Sequence, residues 1–288
     1  MPELSKGAVW FSSYPKSGNT WLRLLLEAYH RNGLLAINDV RVVSSDSGAS
    51  LIRGVCPIPL KDLGFNGQML LRPAAILNLL ARMHGPAWMV KTHFANIQPE
   101  GLPHCIPKEF THKAVYVVRD PRSVLLSMSK YFGFSTEKAV AAMNDESFSL
   151  GNDDEFACQL VSSWTNHVAS WVGEKRYPVH VVKYEDMIAD ASKELTEVLE
   201  FLDEDVDPAI VRKAVDTCEL SNLRKEETEN GFKHVPLKSG TFFNEGGTRW
   251  REELGPKWIA KIEEDHGEVM RTMGYLDSTV TELKTRKS

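Results

Sequence analysis

The segment Tyr14-Pro-Lys-Ser-Gly-Asn-Thr-Trp21 puts a lysine, two hydroxyls and a glycine directly before a run of helix formers. A glycine-containing loop can fold its backbone N–H groups around an anion, and the unpaired donors and positive dipole end of the next helix strengthen that seat. Lys16 supplies a full charge, and Ser17 and Thr20 add donors. A plain β-turn with a surface lysine has the same form. The lysine precedes the glycine, so the loop departs from the ATP-type G-x-x-x-x-G-K-[ST] pattern and its magnesium-binding hydroxyl. In Val90-Lys-Thr-His93, Lys91 and His93 stand two residues apart, which on a strand gives them one face. Imidazole titrates near neutrality and is the commonest general base; a half-exposed histidine at a strand end is the alternative. Arg119 follows Val118, with Ser127 eight residues on. Guanidinium suits bidentate phosphate recognition, whereas an ion pair with Asp120 would be worth little.

These residues need elements to position them. Residues 8–14 read as a short strand, 15–19 as a turn and 20–29 as a helix ending near Gly33. Residues 38–75, with their Gly, Pro and Ser, read as covering loops, and 74–83 as a helix. Strands are expected at 87–93, 114–118 and 179–183, with a helix opening at Pro121 and running to about Tyr131. Over 155–172 the spacing puts Leu160, Trp164, Val168 and Trp171 on one helical face. Further helices are expected at 189–201, 208–215, 220–227 and 256–273, with a Gly-rich connection at 240–248. Strands alternating with helices predict one α/β domain over 1–288, with a mainly parallel central sheet flanked by helices. Ligands of such sheets bind beyond the carboxyl ends of the strands, where these polar residues fall.

Composition narrows the class. The chain has 288 residues, 34 Lys+Arg against 39 Asp+Glu, and a net charge of -5. Such a length buries roughly 75% of its unfolded surface without needing disulfides or metals. Mild acidity speaks against a nucleic-acid partner, which would want a basic field. Four cysteines, Cys56, Cys105, Cys158 and Cys218, form no C-x-x-C pair. No apolar stretch approaches the ~20 residues that span a bilayer, and the N-terminal residues lack a signal-peptide core. The expectation is a cytoplasmic protein without a membrane partner.

Taken together and in order, these segments resemble the cytosolic-type sulfotransferases that use 3′-phosphoadenosine 5′-phosphosulfate (PAPS), over about residues 8–275. Tyr14–Trp21 resembles that family's 5′-phosphosulfate loop, Y-P-K-S-G-T-T-W, with Asn19 in place of one threonine. Lys91-Thr-His93 resembles its K-T-H segment, whose histidine is the catalytic base. Arg119 and Ser127 match its 3′-phosphate pair in spacing, and Tyr184-Glu-Asp-Met resembles its nucleotide-contacting Y-E-D-M segment. Trp164-x-x-His-Val-x-Ser-Trp171 is similar too. The family's R-K-G-x-x-G-x-W loop is replaced by Phe242-Phe-Asn-Glu-Gly-Gly-Thr-Arg-Trp250, with Asn244 and Glu245 where a basic pair is expected. There the resemblance implies that Glu245 points away or that Arg249 or Arg251 restores the charge.

The resemblance implies a P-loop-containing nucleotide hydrolase-like sulfotransferase fold and in-line transfer of a sulfuryl group from PAPS to a hydroxyl or amine, leaving PAP, with no metal. His93 would take the acceptor's proton, while Lys16 and Lys91 would stabilise the leaving phosphate. Ser17, Gly18, Asn19, Thr20, Trp21, Arg119, Ser127, Tyr184, Leu220, Phe243 and Gly246 would bind the nucleotide, with Trp21 stacked on adenine unless it is a core aromatic. A metal-dependent P-loop small-molecule kinase and a catalytically silent nucleotide-binding module are the competing readings. A small-molecule acceptor is expected, in a pocket built from residues 40–75, 132–155 and 228–245. Phe65, Phe132, Phe134 and Phe242 would line that pocket or pack in the core.

Overall fold

A computed structural model describes residues 7–82, 88–233, 242–243 and 249–277. Ala8–Ser13 forms β1 and is buried throughout, the mark of a central strand covered on both faces. After the Tyr14–Gly18 loop comes α1, Asn19–His30. The chain then makes the two-residue edge strand β2 (Ser44–Ser45), α2 (Ala49–Arg53), α3 (Leu60–Arg82) and β3 (Trp88–Thr92). Next come β4 (Thr111–Val118), α4 (Pro121–Phe132), α5 (Thr136–Asn144), the small strands β5 (Ser149–Leu150) and β6 (Gln159–Leu160), and α6 (Trp164–Val172). β7 (Val179–Lys183) leads into α7 (Tyr184–Ala189), α8 (Ala191–Phe201), α9 (Pro208–Thr217) and α10 (Leu220–Asn230). Trp250–Glu253 (α11) and Pro256–Thr272 (α12) follow.

The main sheet has five strands in the order β2-β3-β1-β4-β7, every pair parallel. Alternation along each strand divides the core in two. Trp10, Val90, Tyr116 and Val118 face a cluster under α3, α4, α6 and α12. Val9, Phe11, Met89, Val115 and Val117 face a second cluster with α1, α8 and α9. The chain leaves β1 toward β3 on one side and returns to β4 on the other, so the carboxyl end of β1 is the switch point of the sheet. That end is the Tyr14–Gly18 loop.

Two expectations need correction. Residues 60–75 are not loop but the first part of α3, whose path is broken at Gly64 (φ 58, ψ -172) and which contains Pro73. Gly64, Gly67 and Pro73 disguised the buried face carried by Gln68, Met69, Arg72, Ala75, Ile76 and Leu80. Leu160 belongs to β6; the helix begins only at Trp164, where the Ser163 hydroxyl caps it by accepting from Asn166 N–H. The helix expected at 189–201 is present as α8 from Ala191, and the short α7 before it, ended by Asp190 (φ -152, ψ 83), which also caps α8, was not expected.

Candidate active site

Lys16 adopts φ 68 and Gly18 φ 103, so the chain turns sharply between β1 and α1 and the first-turn N–H groups of α1 face the loop. A Cβ on Gly18 would lie 2.4 Å from the Tyr184 ring, so only glycine fits. Asn19 anchors the helix start: its amide donates to the Phe11 carbonyl at 3.1 Å and its oxygen accepts from Arg23 Nε at 3.0 Å. Thr20, half-buried, completes the first turn.

Around this turn the expected residues converge. Arg119 does not pair with Asp120; it donates from Nη1 to the Lys16 carbonyl at 3.1 Å and lies 4.3 Å from the Tyr184 ring. Asp120 is taken instead by Arg122 at 2.7 Å and caps α4. The Lys16 ammonium lies 3.7 Å from the Tyr131 ring and 4.2 Å from that of Phe242. Tyr131 stands four residues after Ser127 on α4, so the half-buried Ser127 shares the helix face that meets Lys16. Trp21 donates from Nε1 to the Cys218 carbonyl at 3.0 Å and meets Tyr184 edge-on at 5.9 Å, beside the helix that opens at Leu220. Phe243 is tied to α10 through Glu227, which accepts from Phe242 and Phe243 N–H at 2.6 and 3.1 Å. Phe242 thus belongs beside Lys16, while Phe132 and Phe134 stack on each other at 5.2 Å against the core, which Phe65 also joins. Gly246, with Asn244 and Glu245, lies outside the described residues. Arg249 pairs with Glu253 at 2.5 Å, and Arg251 stacks on Trp250.

The electrostatics are those of an anion site. Burial, helped by Arg119, pushes Lys16 down to about 7; burial and then Arg23 push Lys91 down to about 8. Neither ammonium makes an ion pair among the described residues, and the buried Ser17 hydroxyl and Arg119 Nε have no hydrogen-bond partner. Buried polar atoms are normally satisfied, so orphaned donors beside unpaired cations mark a place for a polyanion, and the donor set fits PAPS. Among the described residues no group of three or more His, Cys, Asp or Glu side chains is arranged to hold a metal.

His93 lies just past β3. Its Nδ1 is 2.8 Å from the Ser13 carbonyl, which can only accept, so Nδ1 carries the proton and Nε2 keeps a free lone pair. Burial, then the charge of Lys91, hold its pKa well below the ordinary histidine value, so the ring is neutral. Its backbone is held in turn. The His93 carbonyl accepts from Nε2 of the buried His167 at 3.3 Å, and Nδ1 of His167 accepts from the Tyr116 hydroxyl at 2.9 Å. Arg23, Tyr116 and Tyr131 were not singled out from the sequence. The i, i+4 relation of Arg23 to Asn19 was the one signal there to find.

Comparison with known proteins gives the family. The family profile described as sulfotransferase domain matches residues 6–274. Sulfotransferase 1 family member D1 of Rattus norvegicus is 27% identical over 276 residues, 89% of this chain and 83% of the relative. Cytosolic sulfotransferase 10 of Arabidopsis thaliana is 26% identical, covering 88% of this chain and 74% of its own. Mouse sulfotransferase SULT7A1 complexed with PAP superposes with a TM-score of 0.60 at 19% identity, over 92% of this chain and 84% of that one. Retinol dehydratase in complex with androsterone and PAP gives 0.61 at 17%, over 92% and 80%. With the profile spanning nearly its whole length, the chain belongs to the sulfotransferase domain family and is a PAPS-dependent sulfotransferase.

Proposed function

We propose that this protein, as one sulfotransferase domain, transfers the sulfuryl group of PAPS in line to a hydroxyl or amine of a small-molecule acceptor in the cytoplasm, with His93 as general base. The orientation of His93 carries this reading: Nδ1–H is committed to the Ser13 carbonyl and Nε2 is left to accept a proton. Backbone N–H groups of residues 17–20 and the Lys16 ammonium would hold the 5′-phosphate. Arg119 and Ser127 would take the 3′-phosphate, and Trp21, Tyr184, Leu220 and Phe243 the adenosine. PAPS supplies a sulfuryl group bonded to a good leaving phosphate. As the acceptor's oxygen or nitrogen attacks sulfur, His93 Nε2 takes its proton, and Lys16 and Lys91 stabilise the charge that collects on the departing phosphate. Fixed charges that need no reorganisation, and positioned groups, supply the acceleration. The small-molecule acceptor is supported by retinol dehydratase, whose complex holds androsterone. No helix among the described residues is long and apolar enough to cross a membrane.

The test is His93→Ala. Turnover with PAPS should fall by about a thousandfold or more, while PAP binding by calorimetry stays within about twofold. Turnover at the wild-type rate removes His93 from the chemistry. Preference for ATP with Mg²⁺ over PAP in the wild-type protein removes the donor assignment.

A further inference from the structure

Arg23 is a cation beside the site that the proposed donor contacts do not use. It lies one helical turn beyond Asn19, whose oxygen holds its Nε at 3.0 Å, and among the described residues neither terminal nitrogen has a hydrogen-bond partner. Other arginines on the same flank are engaged: Arg31 with Glu27 at 3.1 Å and Arg72 with Asp46 at 2.6 Å. Among the described residues no carboxylate pairs with Arg23, although burial pushes its pKa down to about 10. A half-buried guanidinium, aimed by an asparagine that is itself pinned to the Phe11 carbonyl, is preorganised for a ligand.

Its place in the fold says which ligand. Four residues further along α1, Glu27 accepts from Arg41 and Val42 N–H at 2.8 Å, which fixes this helix face against the segment leading into β2. β2 pairs Ser45 with Lys91 of β3, so Arg23 lies over the β2–β3 flank of the site. Lys16 and Arg119 lie on the opposite flank, against Tyr131 and Tyr184. The charge of Arg23 is felt at Lys91 and at His93, lowering both. A bare cation beside a general base weakens that base, and an anion paired with Arg23 would relieve the effect.

Resting on the sulfotransferase reading above, we propose that Arg23 is a specificity determinant for the acceptor, which carries a carboxylate or phosphate that pairs with the terminal nitrogens of Arg23 while its nucleophilic hydroxyl or amine faces His93. Planar guanidinium and a two-oxygen anion match in bidentate geometry, so the pair would set orientation as well as affinity.

The experiment compares hydroxylated carboxylic acids with their carboxamides on phenyl, cyclohexyl and linear alkyl frames, and adds one diol phosphate monoester. kcat/KM with PAPS is measured for wild-type protein, Arg23→Gln and Arg23→Lys, with PAP affinity by calorimetry alongside. Wild-type protein should favour an anion over its neutral partner by about tenfold or more; Arg23→Gln should erase that preference by lowering turnover of the anion, with amide turnover held or raised as the charge beside His93 is removed, and Arg23→Lys should keep part of it. PAP affinity should stay within about twofold in both variants. A preference confined to the acids or to the phosphate identifies which anion is read. Equal use of acids and amides by wild-type protein, or no anion sulfated, overturns the proposal, and neither comparison depends on a variant folding. So does a loss of PAP affinity in Arg23→Gln, which would return Arg23 to the donor site. Wild-type protein that binds no PAP would instead sink the donor assignment.

Discussion

At the residue scale the site depends on cations whose charge burial makes easier to lose and on polar groups without their usual partners. Lys16 is pushed down to about 7 by burial, then by Arg119, so it gives up its charge at far lower pH than a free lysine. Phosphate binding favours the charged form. PAP binding should therefore take up a proton near Lys16 at pH 8, and affinity should fall as pH rises above about 7. Calorimetry in buffers of differing ionisation enthalpy reads this directly, and Lys16→Arg, which stays charged, should flatten the dependence. Proton release on binding, or a pH-independent affinity, would contradict it. His93 shows the complementary case, in which a carbonyl, not a carboxylate, selects the tautomer.

At the scale of elements, two junctions hold the site. Gly18 lets α1 start against the Tyr184 ring, and Tyr184 in turn backs Arg119. Gly18→Ala would meet that ring at 2.4 Å in a left-handed conformation that costs about 1–2 kcal/mol for an L-residue. It should weaken PAP binding by about tenfold or more and lower the melting temperature; unchanged binding would show that the ring moves aside freely. On the other flank, α3 reaches the sheet through buried Arg72, which meets Asp46 at 2.6 Å, donates to the Cys105 carbonyl at 2.6 Å and stacks on Phe94 at 3.8 Å. Gln159 donates to the other Asp46 oxygen at 2.6 Å. Arg72→Met leaves that carboxylate buried without its cation and should cost about 3–5 kcal/mol in denaturant unfolding. Adding Asp46→Asn should recover much of the loss, since the uncompensated charge is then gone.

Across the whole molecule, the groups proposed to hold the nucleotide come from both faces of the sheet: the loop and α1, α4, the β7–α7 junction and α10. A ligand gripping them all binds only the folded chain. At a free PAP concentration a hundredfold above Kd, folding gains about 2.7 kcal/mol, which for a chain of this size raises the melting temperature by roughly 4–5 °C. ATP with Mg²⁺ should give no comparable rise in differential scanning fluorimetry. A PAP shift within the noise would argue that the groups do not converge on one ligand.

Much of this was legible in residue order. A strand, a lysine-bearing turn and a helix in immediate succession are local features, set by the types in Ala8–Trp21, and the spacings of Lys91 to His93 and Arg119 to Ser127 survive folding because each lies within a strand end or one helix. Residues 60–75 were misread because Gly64, Gly67 and Pro73 weigh against a helix locally, whereas burial of Met69, Arg72 and Ile76 against the sheet outweighs them. What only the tertiary structure decided is which partner each polar group finds. The proton on His93 is placed by a carbonyl 80 residues away, Trp21 is tied to a carbonyl 197 residues away, and among the described residues Arg23 pairs with no carboxylate, while Glu27 goes to Arg31 and Asp46 to Arg72. Sequence sets the inventory of charges and donors; only packing, by removing water and choosing neighbours, determines which are cancelled and which remain to act on a substrate.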